Sequence, residues 1–204
     1  MSWRDVRSEA SSLWRLAWPV IIGNVGFLAM GVVDTIMLGR LGEDALAAAA
    51  IGVLVLFGLF VLPMGILHGL DPVVAQAHGA NQPATIGRAL RRGRRMALLV
   101  SIPLVALYLQ AESILRLLGQ PESVIPWAHD YIVALGLSAP ISLLYVANRQ
   151  VLQAMGHTRP LMWIPIAANV VNALANLVLI FGVPEIGLPG YGVVGAGWAS
   201  SLSR

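Results

Sequence analysis

The sequence contains no cysteine and few charges, because only 11% of its 204 residues are Asp, Glu or Arg. The missing cysteines exclude disulfides, thiolate metal sites and thiol catalysis. Soluble domains carry about 25% charged residues, so the scarcity of charge beside a 57% hydrophobic content indicates an integral membrane protein. The histidines show neither a zinc-binding spacing nor a Ser-His-Asp pattern. We therefore expect a protein that is not an enzyme and that has no cofactor.

Long apolar runs divide the chain into segments of the length that crosses a bilayer, which is about 20 residues. The runs predict an all-α, polytopic membrane protein with a single domain over residues 1–204. The expected spans are 13–38, 45–70, 96–118, 131–152, 162–183 and 192–204. The last run ends after only 13 residues, so we expect that the sixth span is incomplete or that the sequence is a fragment.

The charges of the predicted connections alternate along the chain. Arginines collect before the first span, in the second connection and in the fourth, at Arg4, Arg7, Arg15, Arg88, Arg91, Arg92, Arg94, Arg95, Arg149 and Arg159. The intervening connections are mainly acidic. The positive-inside rule therefore predicts a cytoplasmic N-terminus. A lipid-headgroup patch and a nucleic-acid patch are alternative interpretations of the second connection, but topology accounts for it, and no aromatic residues interleave its arginines.

One carboxylate, Asp34, lies inside the first predicted span. A charged side chain at the centre of a bilayer costs roughly 2.5–3.5 kcal/mol on insertion scales. Asp34 lies six residues before Arg40, or roughly 9 Å along a helix axis. One interpretation is a structural carboxylate that snorkels outward or pairs with Arg40, but acids within membranes usually mark functional sites. We favour a functional role.

Three amides, Asn169, Asn172 and Asn176, share one face of the fifth predicted span. Such amides often only bond neighbouring helices. Their carbonyl oxygens are also hard ligands that suit sodium. Together with Asp34 they would hold either a proton or a sodium ion, since burial penalises the charged form of a carboxylate.

A second acid, Asp71, follows the second predicted span. It is either a helix-terminus acid near the interface or a possible second titrating group. His68 lies one turn away and is a possible partner.

Five stretches, in order along nearly the whole chain, resemble the multidrug and toxic compound extrusion (MATE) family of cation-coupled antiporters. They are GVVDTIMLGRLGEDALAA, GLDPVVAQAHGA, RQVLQAMGHTRPLM, NVVNALANLVLIFG and GYGVVGAGWAS. The resemblance implies a six-helix transmembrane lobe, half of a twelve-helix antiporter with its cavity between two lobes. It also implies export of drugs or organic cations in exchange for protons or sodium, in the plasma membrane, which in bacteria is the inner membrane.

The resemblance further implies a cation- or proton-coupling site built around the acid of span one, which Asp34 matches. The family's polar pair in span five matches Asn172 and Asn176, although the second position is acidic in some members. A hydroxyl of span six matches Ser200, with Ser201 as the alternative. Asn148 is a further candidate, and Asp71 matches a position that is acidic in part of the family.

The expected partners are small amphipathic or cationic substrates, membrane lipid and a C-terminal lobe of the same protein, without nucleic acid. We expect an N-terminal fragment of a longer antiporter rather than a half-size protein that dimerises. Two other functions stay open. A lipid-linked oligosaccharide flippase of the same superfamily would line its cavity with more cations than these spans carry. A non-transporting membrane scaffold would tolerate the loss of Asp34.

Overall fold

The computed structural model describes residues 3–204, without the side chains at 3–6, 8, 9, 12, 16 and 186. Arg4, one of the expected cytoplasmic cations, is therefore outside the described side chains. The helices are α1 (Trp3–Gly39), α2 (Glu43–His68), α3 (Leu70–Gly79), α4 (Pro83–Leu109), α5 (Ala111–Leu117), α6 (Ile125–Gly136), α7 (Ala139–Ala154), α8 (Arg159–Phe181) and α9 (Gly192–Ser203), with a 3₁₀ turn at Pro184–Ile186. Residues 3–204 contain no β-strand beyond one isolated bridge, and the expected all-α class is confirmed.

Three segments of the described chain are long and apolar enough to cross a membrane, namely Leu13–Gly39, Glu43–Gly79 and Arg159–Phe181. Two further spans arise if each of two bent helix pairs counts as one. The pair α4 and α5 bends by 64°, and the pair α6 and α7 bends by 48°. These two bent pairs cover the spans expected at 96–118 and 131–152.

The bend between α6 and α7 has a local cause. Pro140 lies in the first turn of α7 and has no N–H to continue the helix. The hydroxyl of Ser138 donates to the carbonyl of Leu135 at 2.7 Å, which satisfies a group at the end of α6. Helix α4 also begins earlier than expected, at Pro83, because proline suits a first helical turn and the arginines that follow favour helix.

Helix α1 packs mainly against α8, which runs in the same direction. Pro165 lacks an N–H, so the carbonyl of Leu161 has no donor one turn later. Gly23 lies against this carbonyl so closely that a Cβ on Gly23 would come within 2.2 Å of the Leu161 oxygen. One turn further on, Asn169 donates to the carbonyl of Gly26 at 2.6 Å. These two contacts set the register of α1 on α8.

Tyr108 connects α4 to α2 in the centre of the described bundle. Its side chain is buried, and its hydroxyl donates to the carbonyl of Leu56 at 2.8 Å. We expect Tyr108→Phe to destabilise the fold by about 1 kcal/mol, because one buried hydrogen bond is lost without a cavity. Thermal unfolding in detergent measures this change. Tyr191→Phe, at an exposed tyrosine, is the control and should leave the melting temperature unchanged; equal shifts would contradict the assignment.

Candidate functional site

Four polar side chains meet where α1, α8 and α9 pack together. Asp34 comes from α1, Asn172 and Asn176 from α8, and Ser200 from α9. Only 8% of Asp34 is exposed, and the other three are fully buried or nearly so. We call these four residues the Asp34 cluster. No described basic side chain forms an ion pair with Asp34, and a buried carboxylate is costly, so its hydrogen bonds determine what the cluster can hold.

Two hydrogen bonds of the Asp34 cluster end on the carboxylate, and two others join its neighbours to one another. Asn176 donates from Nδ2 to Oδ1 of Asp34 at 2.5 Å, and Ser200 donates from Oγ to Oδ2 at 2.8 Å. Asn172 donates in turn to the hydroxyl of Ser200 at 3.1 Å. The Asn172 carbonyl accepts a second bond from Nδ2 of Asn176 at 3.2 Å. Both carboxylate oxygens are therefore satisfied by neutral donors.

The backbone brings these side chains together through helix spacing and close approach. Asn172 and Asn176 are four residues apart and lie on one face of α8. Helix α9 runs antiparallel to α8 and touches it at Gly195, where a Cβ would lie 2.2 Å from the carbonyl oxygen of Leu179. Because only glycine permits this approach, Gly195 brings α9 close enough for Ser200 to reach Asp34.

One acceptor in the Asp34 cluster is left over. Oδ1 of Asn176 is buried and has no hydrogen-bond partner among the described residues. Buried polar atoms are nearly always paired, so this oxygen beside a carboxylate fits an additional positive group. The donor set of carboxylate, amide and hydroxyl oxygens is hard and suits sodium rather than a transition metal. A proton on Asp34 is the other positive group that these oxygens suit.

The other candidates from the sequence lie apart from the Asp34 cluster. Ser201 points away and donates to the carbonyl of Ala134 at 2.6 Å. Asn148 accepts from Nε of Arg94 at 3.1 Å and donates to a carbonyl of its own helix. Asn169, the third amide of the polar stripe, bonds Gly26 instead of Asp34. The described side chains contain no ion pair between Asp34 and Arg40.

Asp71 belongs to a second polar group, between α2, α3 and α7. The amide of Gln150 lies between Asp71 and His68. With its nitrogen turned to Asp71, it donates to both carboxylate oxygens at 3.1 and 3.3 Å, and its oxygen accepts from Nε2 of His68 at 2.8 Å. Gln150 is nearly fully buried, and nothing in its sequence context singled it out. The role of Asp71 as a second titrating group stays a prediction.

A nearby contact joins α1 to α7. Arg149 donates from Nη2 to Oδ1 of Asn24 at 2.6 Å. The sequence analysis did not single out Asn24, because a lone asparagine near the start of a span gives no periodic signal.

Comparison with known proteins identifies relatives of this chain. A family model described as MatE matches residues 19–178. A probable multidrug resistance protein NorM from Bradyrhizobium diazoefficiens is 41% identical over 92% of this chain and 40% of its own length. The multidrug resistance protein NorM of Vibrio cholerae is 34% identical over 96% of this chain and 42% of its own length. The chain thus spans about two fifths of the length of these curated relatives.

Solved structures agree with the family model. The crystal structure of a eukaryotic MATE transporter superposes with a TM-score of 0.86 at 26% identity, over 96% of this chain and 43% of that one. An outward-facing multidrug resistance MATE family transporter gives a TM-score of 0.79 at 24% identity, over 93% and 41%, and shows the fold alone. The resemblance found in the sequence is confirmed, and the chain is a membrane protein that belongs to the MatE family.

Proposed function

We propose that this chain forms one lobe of a multidrug efflux transporter, which exports drugs or organic cations in exchange for protons or sodium. The names of its relatives, multidrug resistance proteins, support the transported class. The single observation that carries the coupling is the buried Asp34 carboxylate, held by neutral donors beside an unpaired amide oxygen. The transporter resides in the plasma membrane, which in bacteria is the inner membrane.

In this proposal Asp34 is the ion switch. An incoming proton or sodium ion binds at Asp34 with help from Asn172, Asn176 and Ser200, and neutralises the carboxylate. Neutral Asp34 attracts the α8 and α9 donors less strongly, because hydrogen bonds to charged acceptors are about twice as strong as neutral ones. The part of α1 around Asp34 is then held less firmly against α8. This change lowers the affinity for the substrate, which is released outward.

Coupling of this kind is reciprocal: if ion binding lowers the affinity for the drug, drug binding lowers the affinity for the ion by the same factor. Because export is driven by the ion, the full gene product, purified and reconstituted in vesicles, should export a fluorescent cation only when a proton or sodium gradient is imposed. Testing the two gradients separately identifies the ion. If neither gradient drives export, and drug displaces no bound ion, the proposal fails.

The absence of cysteine allows a clean test of orientation. The proposed cytoplasmic N-terminus puts the α3–α4 and α7–α8 connections inside, and the α5–α6 and α8–α9 connections outside. Single cysteines at Gln82 and His157 should react with an impermeant maleimide only after the cells are opened. Cysteines at Glu122 and Glu185 should react in intact cells. The cysteine-free parent is the control, and the reverse labelling pattern would overturn the orientation.

A further inference from the structure

The basic segment at the start of α4 places four arginines on one side of the helix. Arg88, Arg91, Arg92 and Arg95 are all exposed, and at 100° per residue they fall within an arc of about 100°. We call them the α4 arginine face. The fifth arginine of the segment, Arg94, points about 120° away from Arg88 and donates from Nε and Nη2 to Asn148 of α7.

The α4 arginine face has no counter-charge in the described part of the chain. The ion pairs among the described side chains involve Arg116 and His129 only. Helix α4 contains no acidic residue, and Arg88 donates from Nη2 to the hydroxyl of Thr85, one turn earlier, at 2.9 Å. Four guanidinium groups within about two turns repel one another, so an external anion would stabilise this face.

The position of the α4 arginine face along the helix points to the bilayer surface. Below it, the same side of α4 continues as exposed apolar residues, including Leu99, Ile102 and Leu109. The apolar part, residues 96–109, is only about 21 Å long, whereas a hydrocarbon core measures about 30 Å. If Leu109 lies at the far boundary, Arg88 lies at the near boundary, about 30 Å away along the helix axis. The longer side chains of Arg91, Arg92 and Arg95 then extend toward this boundary, where lipid phosphates rather than bulk water are the nearest acceptors.

We infer that the α4 arginine face binds the phosphate groups of anionic phospholipids, with the acyl chains along the apolar side of α4. A guanidinium group forms two parallel hydrogen bonds to two phosphate oxygens, so arginine suits this ligand better than a side chain that acts as a point charge. A nucleic acid would match the charge but not the apolar continuation of the same side. The inference does not depend on the proposed antiport.

Lipid binding to the purified chain in neutral detergent tests the inference. Native mass spectrometry compares retained phosphatidylglycerol with retained phosphatidylcholine. We expect the wild type to retain phosphatidylglycerol in preference to phosphatidylcholine. In the variant Arg92→Gln with Arg95→Gln this preference should fall on the order of tenfold, because each basic residue near an anionic surface adds its own attraction to the lipid. The matched control is Arg40→Gln with Arg94→Gln, which removes the same charge but leaves the α4 arginine face intact.

Three outcomes would overturn the inference. The first is equal retention of both lipids by the wild type, and the second is equal loss of binding in both double variants. The third is displacement of phosphatidylglycerol by excess inorganic phosphate, which would indicate a site for free anions. A monodisperse gel-filtration peak checks folding. If a double variant is misfolded, two single variants take the place of the two double variants. Arg95→Gln alters the α4 arginine face, and Arg94→Gln, at the neighbouring position on another side of the helix, is its control.

Discussion

Replacing Asp34 by asparagine should abolish ion-driven export, with at least a tenfold loss of transport at equal membrane abundance. Asparagine has nearly the same shape, but it neither exchanges a proton near neutral pH nor offers a negative charge to sodium. Its amide nitrogen would also meet the donating groups of Asn176 or Ser200, which now both point at the carboxylate. Accumulation of a fluorescent cation in drug-sensitive cells that express the full gene product measures the loss.

The control for Asp34→Asn is Asp130→Asn, which removes one carboxylate at an exposed position beside His129. Export by this control should equal that of the wild type. If Asp34→Asn also exports normally, Asp34 is structural and its assignment as the coupling residue fails. In that case the variant should be as stable as the wild type or more stable, because a buried charge has been removed.

Replacing Gly23 by alanine should have a large structural effect. The added Cβ would lie 2.2 Å from the carbonyl oxygen of Leu161, which belongs to backbone and has no rotamer to relieve the clash. Helix α1 must therefore move away from α8, at a cost of about 1–3 kcal/mol. The shift also pulls Asp34 away from Asn176, so cation binding should weaken together with the melting temperature. Thermal unfolding with and without the coupling ion measures both effects.

The matched control is Gly31→Ala in the same helix, because a Cβ at Gly31 would meet nothing within 4 Å. This change should be neutral or raise the melting temperature slightly, since alanine favours helix by up to about 1 kcal/mol over glycine. Equal melting temperatures for the two variants would show that α1 and α8 are not in close backbone contact at Gly23.

Helix periodicity accounts for what the sequence predicted of the Asp34 cluster. The spacing of Asn172 and Asn176 put both amides on one face of a single helix, and the isolated charge of Asp34 made it conspicuous. Ser200 followed from family resemblance alone, because a hydroxyl beside glycines in α9 has no distinctive pattern. The partner helix of each residue depends on packing, and the sequence gives no direct signal for that.

Two amides that the sequence singled out lie outside the Asp34 cluster for physical reasons. Asn169 shares the stripe of Asn172, but it lies one turn after Pro165 and beside the close approach of α1, so it bonds the Gly26 backbone. Asn148 instead meets Arg94, 54 positions earlier in the chain. The positions of the bends after α4 and α6 could not be predicted from hydropathy, because the apolar runs continue across them and hydropathy does not register a break in helical hydrogen bonding.

The direction of the hydrogen bonds around Asp34 has a consequence for how the two candidate ions would be sensed. A proton placed on Oδ2 of Asp34 would oppose the donating hydroxyl of Ser200, which must rotate, and its bond from Asn172 must then readjust. Such a change is cooperative across three helices. Asp34 and Asn176, whose amide oxygen is unpaired, would hold a sodium ion, and this would not require the Ser200 hydroxyl to turn. Protonation would therefore change the contact between α1 and α9, whereas sodium binding would change only the contact between α1 and α8.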